Sequence, residues 1–272
     1  MPINVNVADN IAELVLDHPP VNAFNSQTWN ELPAIITDLG KREDVRVLLI
    51  RAEGKGFCAG VDIKELAADS AAIVEVNKGN FETFKAIHHC EMPVISAPHG
   101  FVIGGGIGMC GASDIVIASD DCFFSLPEID RGAMGGAAHL QRMIPLTKVR
   151  SAFLTGGQIT AQEMHRLGGI ENVVPRADLE NEAHKLATVV AGKSRDALRI
   201  AKQALNGIEP FDVDASYRWE QGFTFEMYMH EDSQKSRDAF VETGKAADFG
   251  DDCWTLYFQI VKINSGRKCG TG

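Results

Sequence analysis

The sequence predicts an α/β fold with a helical C-terminal region, on three observations. Short apolar runs recur through the first half, each followed by turn or helix signals, and the chain beyond Thr147 reads as mostly helical. Glycine is in surplus, with 26 residues, and the excess gathers in two runs, 54–60 and 100–111. With 272 residues the chain can bury a substantial core.

The elements follow in order. Residues 3–7 and 11–16 alternate apolar and polar side chains around Ala8-Asp9-Asn10, the pattern of a hairpin. Ser26 can cap a helix running to about Leu39, with Pro33 expected to kink it or delay its start. Residues 46–51, centred on apolar Val47 to Ile50, read as a buried strand, and 70–89 as a helix. Further short strands are expected at 93–97 and 115–118, and helices at 197–205 and 215–231. This divides the chain into an α/β core over 1–195, a helical region over 196–243 and a tail over 244–272. In that tail 254–263 has strand composition, 265–272 is expected to fray, and no role is assigned.

Composition excludes several classes of function. A net charge of −11, from 26 basic against 37 acidic residues, argues against a surface that tracks nucleic-acid phosphates. The acidity is local, because 209–252 holds 12 acidic and 4 basic residues. Residues 92–113 lack any acidic residue, lysine or arginine over a length that could cross a bilayer, but Pro93, Pro98, His99 and six glycines would break such a span. Six cysteines without CxxC spacing form neither a disulfide framework nor a zinc knuckle, and the N-terminal residues lack the pattern of a signal peptide. A cytoplasmic location is therefore expected. The consecutive pair His88-His89 would diverge by about 100° on a helix, so no metal site is expected there.

Chemistry concentrates at the glycine runs. Gly106, Gly108 and Gly111 satisfy G-x-G-x-x-G, which keeps an NAD-dependent oxidoreductase open as a distant alternative. That fingerprint belongs at the first strand of a nucleotide-binding half, whereas this one lies a hundred residues into the chain. Three consecutive glycines at a helix start, Gly104 to Gly106, also let a ligand carbonyl approach unpaired backbone N–H groups, which is an oxyanion hole.

Four segments taken together, in order and spacing, resemble the crotonase or enoyl-CoA hydratase/isomerase superfamily over about 3–240. They are His18 to Phe24, Gly54 to Glu65, the Gly104 to Gly111 run and Ser125 to Ile129. The resemblance implies a spiral of ββα units with C-terminal helices that build a homotrimer or a dimer of trimers. It also implies that the N–H groups of Val61 and Gly105 hold the thioester oxygen of an acyl-CoA. Gly104, Ala23, Asp62, Ile63 and Lys64 would lie along that substrate, and Lys64 or Lys55 would meet its phosphates. Coenzyme A is then part of the substrate, and no separate cofactor is expected.

Hydratases of this superfamily carry two catalytic glutamates. Here the first position is Gly108, and the second, twenty residues on, is Glu128. A lone carboxylate beside an oxyanion hole suits proton shuttling, as in enoyl-CoA isomerases, or base-assisted attack of water on a ketone followed by C–C cleavage. Residues 131–140 and 216–226 resemble a steroid-catabolic branch of the superfamily that opens the ring of a bicyclic keto acyl-CoA by hydrolysis. His139, eleven residues past Glu128, is a candidate partner acid or base. Asp130 is a weaker candidate, and Cys58 is read as a packing residue because no basic partner is apparent.

Overall fold

The computed structural model describes residues 3–249. The chain winds through three sheets. β1 (Ile3–Ala8) and β2 (Ile11–Leu16) form the expected hairpin, in antiparallel register Ile3 with Leu16. A short β3 (Ala23–Phe24) precedes α1 (Ser26–Lys41), and β4 (Val47–Ala52) returns parallel to β2. Next come β5 (Gly60–Val61), α2 (Ile63–Ala68), a single 3₁₀ turn at Ser70–Ala72 and α3 (Ile73–His88). The following turn contains β6 (Val94–Ser96), β7 (Phe101–Ile103) and α4 (Gly105–Ala112), and the next β8 (Ile115–Ser119) and β9 (Phe123–Ser125). Then come α5 (Ala137–Met143), α6 (Leu146–Thr155), β10 (Gln158–Thr160), α7 (Ala161–Arg166) and β11 (Asn172–Val174). Helices α8 (Leu179–Ala191), α9 (Arg195–Gly207), α10 (Val213–Tyr228) and α11 (Glu231–Thr243) complete it.

The strand orders are β1-β2-β4-β6-β8-β11, β10-β9-β7 and β3-β5. Each turn of the chain thus adds a strand to the large sheet and, in most turns, another to a small one, which is the expected ββα spiral. Continuous burial of β2 and β4 explains why they read as apolar runs.

Several local expectations change. Asn25, not Ser26, caps α1, its side chain accepting from the Thr28 N–H at 2.9 Å. Pro33 lies inside α1 without ending it. A proline there cannot donate to Trp29 O four residues earlier, and that carbonyl instead accepts the Thr83 hydroxyl of α3 at 3.0 Å. The single helix expected over 70–89 divides into a 3₁₀ turn, capped by Asp69, and α3, which ends at His88. The helix expected over 215–231 ends at Tyr228 and a new one starts at Glu231. Strands β10 and β11 interrupt the mostly helical second half; each is three residues long, too short for a periodic signal. The strand expected at 254–263 lies outside the described residues.

The C-terminal helices are tied to the core by charge. Lys202 of α9 is buried and donates to the Ile87 and Met92 carbonyls at 3.0 and 3.3 Å and to Asp114 at 2.8 Å.

Candidate active site

The site is a cleft of about 740 Å³, its open mouth included, lined by β5, α2, α3, the start of α4, the loop after β9 and helices α10 and α11. Its floor is two backbone segments pressed together. A Cβ on Gly60, whose φ is +84°, would lie 3.1 Å from Ile103 O and 3.2 Å from Gly105 N, so Val61 and the first residue of α4 stand side by side only because Gly60 has no side chain. At the first position of a helix the N–H has no intrahelical acceptor, and Gly105 occupies that position here. Any side chain on Gly105 would strike Trp29, with a Cβ 2.6 Å from Cζ2.

Glu128 reaches this floor from the 3₁₀ turn Pro127–Arg131 that follows β9. A Cβ on Gly104 would be 2.5 Å from Glu128 Oε1, which puts the carboxylate directly over the glycine next to the predicted donor. Oε2 is sealed from solvent without a hydrogen-bond partner. Burial pushes the Glu128 carboxyl up to about 8, with Glu220 and Asp130 adding to the rise against the nearby Arg131 charge. Among the described lining residues Glu128 is the one carboxylate.

Gly108, the position of the missing second glutamate, is buried on α4 against Phe84. A Cβ there would lie 2.2 Å from the Phe84 Cζ, so the phenyl ring occupies the space a glutamate would need. Gly106 and Gly111 are equally closed, by Cys58 O at 2.8 Å and His139 O at 2.4 Å. Neither they nor Gly108 lines the cleft. Their role is close packing of a helix, and the dinucleotide reading loses its basis: the large sheet winds in one direction, without the reversal at which such cofactors bind.

Val61, Ile63, Gly104, Gly105 and Glu128 thus come together in one cleft, and other predicted residues do not. Ala23 lies beside Gly60 in the two-stranded sheet, outside the lining, Asp62 caps α2 by accepting from the Lys64 N–H at 2.9 Å, and Lys64 and Lys55 are exposed outside the cleft lining. His139 is a correction. It lies outside the lining, buried between Phe84 and Tyr217 with ring centroids 4.8 Å from each. Burial depresses its pKa to about 3, and both ring nitrogens lack partners, so it is a neutral packing side chain held away from the substrate space. Asp130 points its carboxylate toward Gly156, away from the cleft. The buried Cys58 thiol is pushed up to about 12, opposite to what a nucleophile needs.

The geometry also revises the divergence argument for His88 and His89. The helix ends at His88, the two rings stand 4.7 Å apart, and their ligand atoms lie within 4.8 Å of each other and of Asp214. Both outward nitrogens are engaged, His88 Nε2 by Glu209 at 3.3 Å and His89 Nε2 by Asp214 at 2.7 Å.

Sequence reasoning missed Asn77, Asn80, Arg131, Tyr217, Thr224, Tyr228 and Arg237, which all line the cleft. The two segments 131–140 and 216–226 were the available signal. They meet here, Glu220 of α10 accepting from the Ala137 and Ala138 N–H groups at 2.8 and 3.0 Å at the start of α5.

A wound ββα core that brings Val61, the start of a helix at Gly105 and a buried carboxylate to one cleft is the crotonase architecture. The enoyl-CoA hydratase/isomerase family model matches residues 6–252, and the chain belongs to that family. Among curated relatives, a "(7aS)-7a-methyl-1,5-dioxo-2,3,5,6,7,7a-hexahydro-1H-indene-carboxyl-CoA hydrolase" of Rhodococcus jostii (strain RHA1) is 46% identical over 239 residues, 87% of this chain and 93% of that one. The protein of the same name from Mycobacterium tuberculosis is 42% identical, covering 89% of this chain and 99% of that one. A solved probable enoyl-CoA hydratase from Mycobacterium smegmatis superposes with a TM-score of 0.72 at 29% identity, over 89% of this chain and 98% of that one.

Proposed function

We propose that this chain hydrolyses a C–C bond in a cyclic keto acyl-CoA, opening its ring; the two relatives are named as hydrolases of a bicyclic dioxo carboxyl-CoA. The observation that carries the reading is the replacement of one hydratase carboxylate by Phe84 packed on Gly108, which leaves Glu128 as the single carboxylate among the described residues lining the cleft. A linear enoyl-CoA hydratase needs two carboxylates to hold and deprotonate its water. A ketone is electrophilic enough to need one.

The step balances as follows. Glu128 takes a proton from water, and the oxygen adds to the ring ketone carbon. The C–C bond to the neighbouring ring carbon then breaks, its electron pair passing through the conjugated system to the oxygen held by the Val61 and Gly105 N–H groups. The former ketone becomes a carboxylic acid, Glu128 returns its proton to the carbanionic system, and one water has been added. Burial of Glu128 favours both halves, because a base with a raised pKa is also a competent acid near neutral pH.

The same reading includes assembly and location. Apolar side chains left exposed on α10 and the turns beside it, Ile208 (77%), Trp219 (75%) and Met229 (87%), favour a homotrimer or dimer of trimers. Four buried free cysteines, 58, 90, 110 and 122, favour a reducing, cytoplasmic setting. No described helix is long and apolar enough to cross a membrane.

The test is incubation with cyclic keto, linear enoyl and Δ-shifted acyl-CoAs in ¹⁸O water, read by mass spectrometry. Ring opening puts ¹⁸O into a new carboxyl group. Label in a hydroxyl of a linear substrate, or a shifted double bond without label, would replace this reading with a hydratase or an isomerase.

A further inference from the structure

Among the described residues most buried cations are paired with acids; Arg46 instead donates to the Ala191 and Lys193 carbonyls, and two more without an ion pair, Arg237 and Arg131, face the same space. Lys202 meets Asp114 at 2.8 Å, Arg142 meets Glu209 at 2.6 Å, and Arg51 meets Glu13 at 2.6 Å. Arg237 of α11 is 2% exposed and lines the cleft, yet among the described residues it has only neutral hydrogen-bond partners. Its Nη1 donates to Ser233 Oγ and its Nη2 to Gln234 Oε1 at 2.7 Å, while Nε has no partner. Arg131, also in the lining, is half-buried, with the Glu128 and Asp130 carboxyls near it but no direct ion pair among the described residues.

Both guanidinium groups lie over aromatic rings. Arg237 stacks on Tyr228 at 4.1 Å and Arg131 on Phe240 at 3.7 Å. Ser233, which accepts from Arg237, donates to the Gly132 carbonyl at 2.5 Å and so ties α11 to the turn that carries Glu128 and Arg131. Leaving a buried cation without a counter-ion is costly. Glu128 does not supply the missing charge, because burial holds it largely protonated at neutral pH.

We propose that Arg237 and Arg131 form an anion subsite that receives the carboxylate created at the cleaved ring carbon. The inference rests on the ring-opening reading. In that reaction a neutral ketone enters, water adds, the C–C bond breaks, and the new acid ionises by releasing its proton to bulk water. A negative charge therefore appears in the cleft after cleavage, where two guanidinium groups already stand without a direct ion pair among the described residues. The ring-opened product is then held more tightly through its acid end than the closed substrate.

Binding of non-reacting thioesters tests this independently of turnover. Succinyl-, glutaryl-, adipoyl- and pimeloyl-CoA are titrated calorimetrically against methyl-ended acyl-CoAs of matching length. Wild type is expected to bind at least one ω-carboxyl member about tenfold or more tighter than its neutral counterpart. R237Q is expected to abolish that ratio, and R131Q to lower it several-fold. Because each ratio is internal to one variant, a misfolded R237Q shows as loss of both series, and R131Q then decides. No preference for charge at any length, or a ratio that survives in R237Q or is unchanged in R131Q, overturns the subsite. A preference without ring opening of the cyclic substrate retires the proposed reaction and leaves a site for carboxyl-bearing acyl-CoAs. Ring opening without the preference retires the subsite alone.

Discussion

The Glu128 carboxylate stands on the bare face of Gly104, with Oε1 2.5 Å from where a Cβ of that residue would be. Gly104 also has φ +54° and donates its N–H to Ser125 O at 3.3 Å, so it orients the start of α4 and the Glu128 turn at once. Gly104→Ala must therefore move the carboxylate and strain the backbone together. A displacement of about 1 Å at a reacting group can cost about 10²-fold, and kcat of the ring-opening assay is expected to fall by that order. Retention of wild-type kcat would show that the carboxylate is not seated there.

The pH profile should carry Glu128's signature. Its carboxyl is raised to about 8, so the basic form, and with it kcat/KM, is expected to rise tenfold per pH unit below that value and level off above it. Glu128→Gln should remove the limb and reduce kcat by about 10²–10⁴-fold.

Stability should move in the opposite sense. A carboxyl whose folded pKa lies above its unfolded value of 4.5 loses stabilisation as pH climbs from about 4.5 through about 8. Glu128→Gln is therefore expected to melt above wild type at pH 8 and to converge with it below pH 4.5. A gap of constant size across that range would place the carboxyl in an ordinary solvated setting.

Phe84 and Gly108 should behave as one packing unit. With the Cβ of an alanine 2.2 Å from the ring, Gly108→Ala is expected to cost about 1–3 kcal/mol by overpacking, and Phe84→Leu in the same chain to recover part of it. Denaturant melts of the two single variants and the double measure this, and strict additivity would contradict the contact.

His139 should be dispensable for chemistry. Its ring is neutral and without hydrogen-bond partners, so His139→Leu leaves no partner stranded and is expected to keep kcat within a factor of about three, with a stability change below about 1.5 kcal/mol. A hundredfold loss of kcat in a folded variant would return His139 to the acid–base machinery.

Much of this protein was legible in its residues alone, for a local reason. The hairpin, the buried strand around Val47 to Ile50 and the helix over 197–205 rest on periodicity, and the two glycine runs mark where backbone approaches backbone. Glu128 was found through the resemblance to the enoyl-CoA hydratase/isomerase family, whose second glutamate falls twenty residues beyond the position of Gly108. What only the tertiary structure decided depends on atoms far apart in sequence. The Thr83 hydroxyl satisfies the carbonyl that Pro33 frees, and Phe84 fills the place of a second catalytic acid. His139, near in sequence to Glu128, is turned into an aromatic cluster, whereas Arg237, more than a hundred residues from Glu128, is brought into its cleft. Spacing along a chain reports which residues share an element. Packing between elements determines which of them share a space, and it settled the fate of the Glu128 carboxylate, the His139 imidazole and the two guanidinium groups.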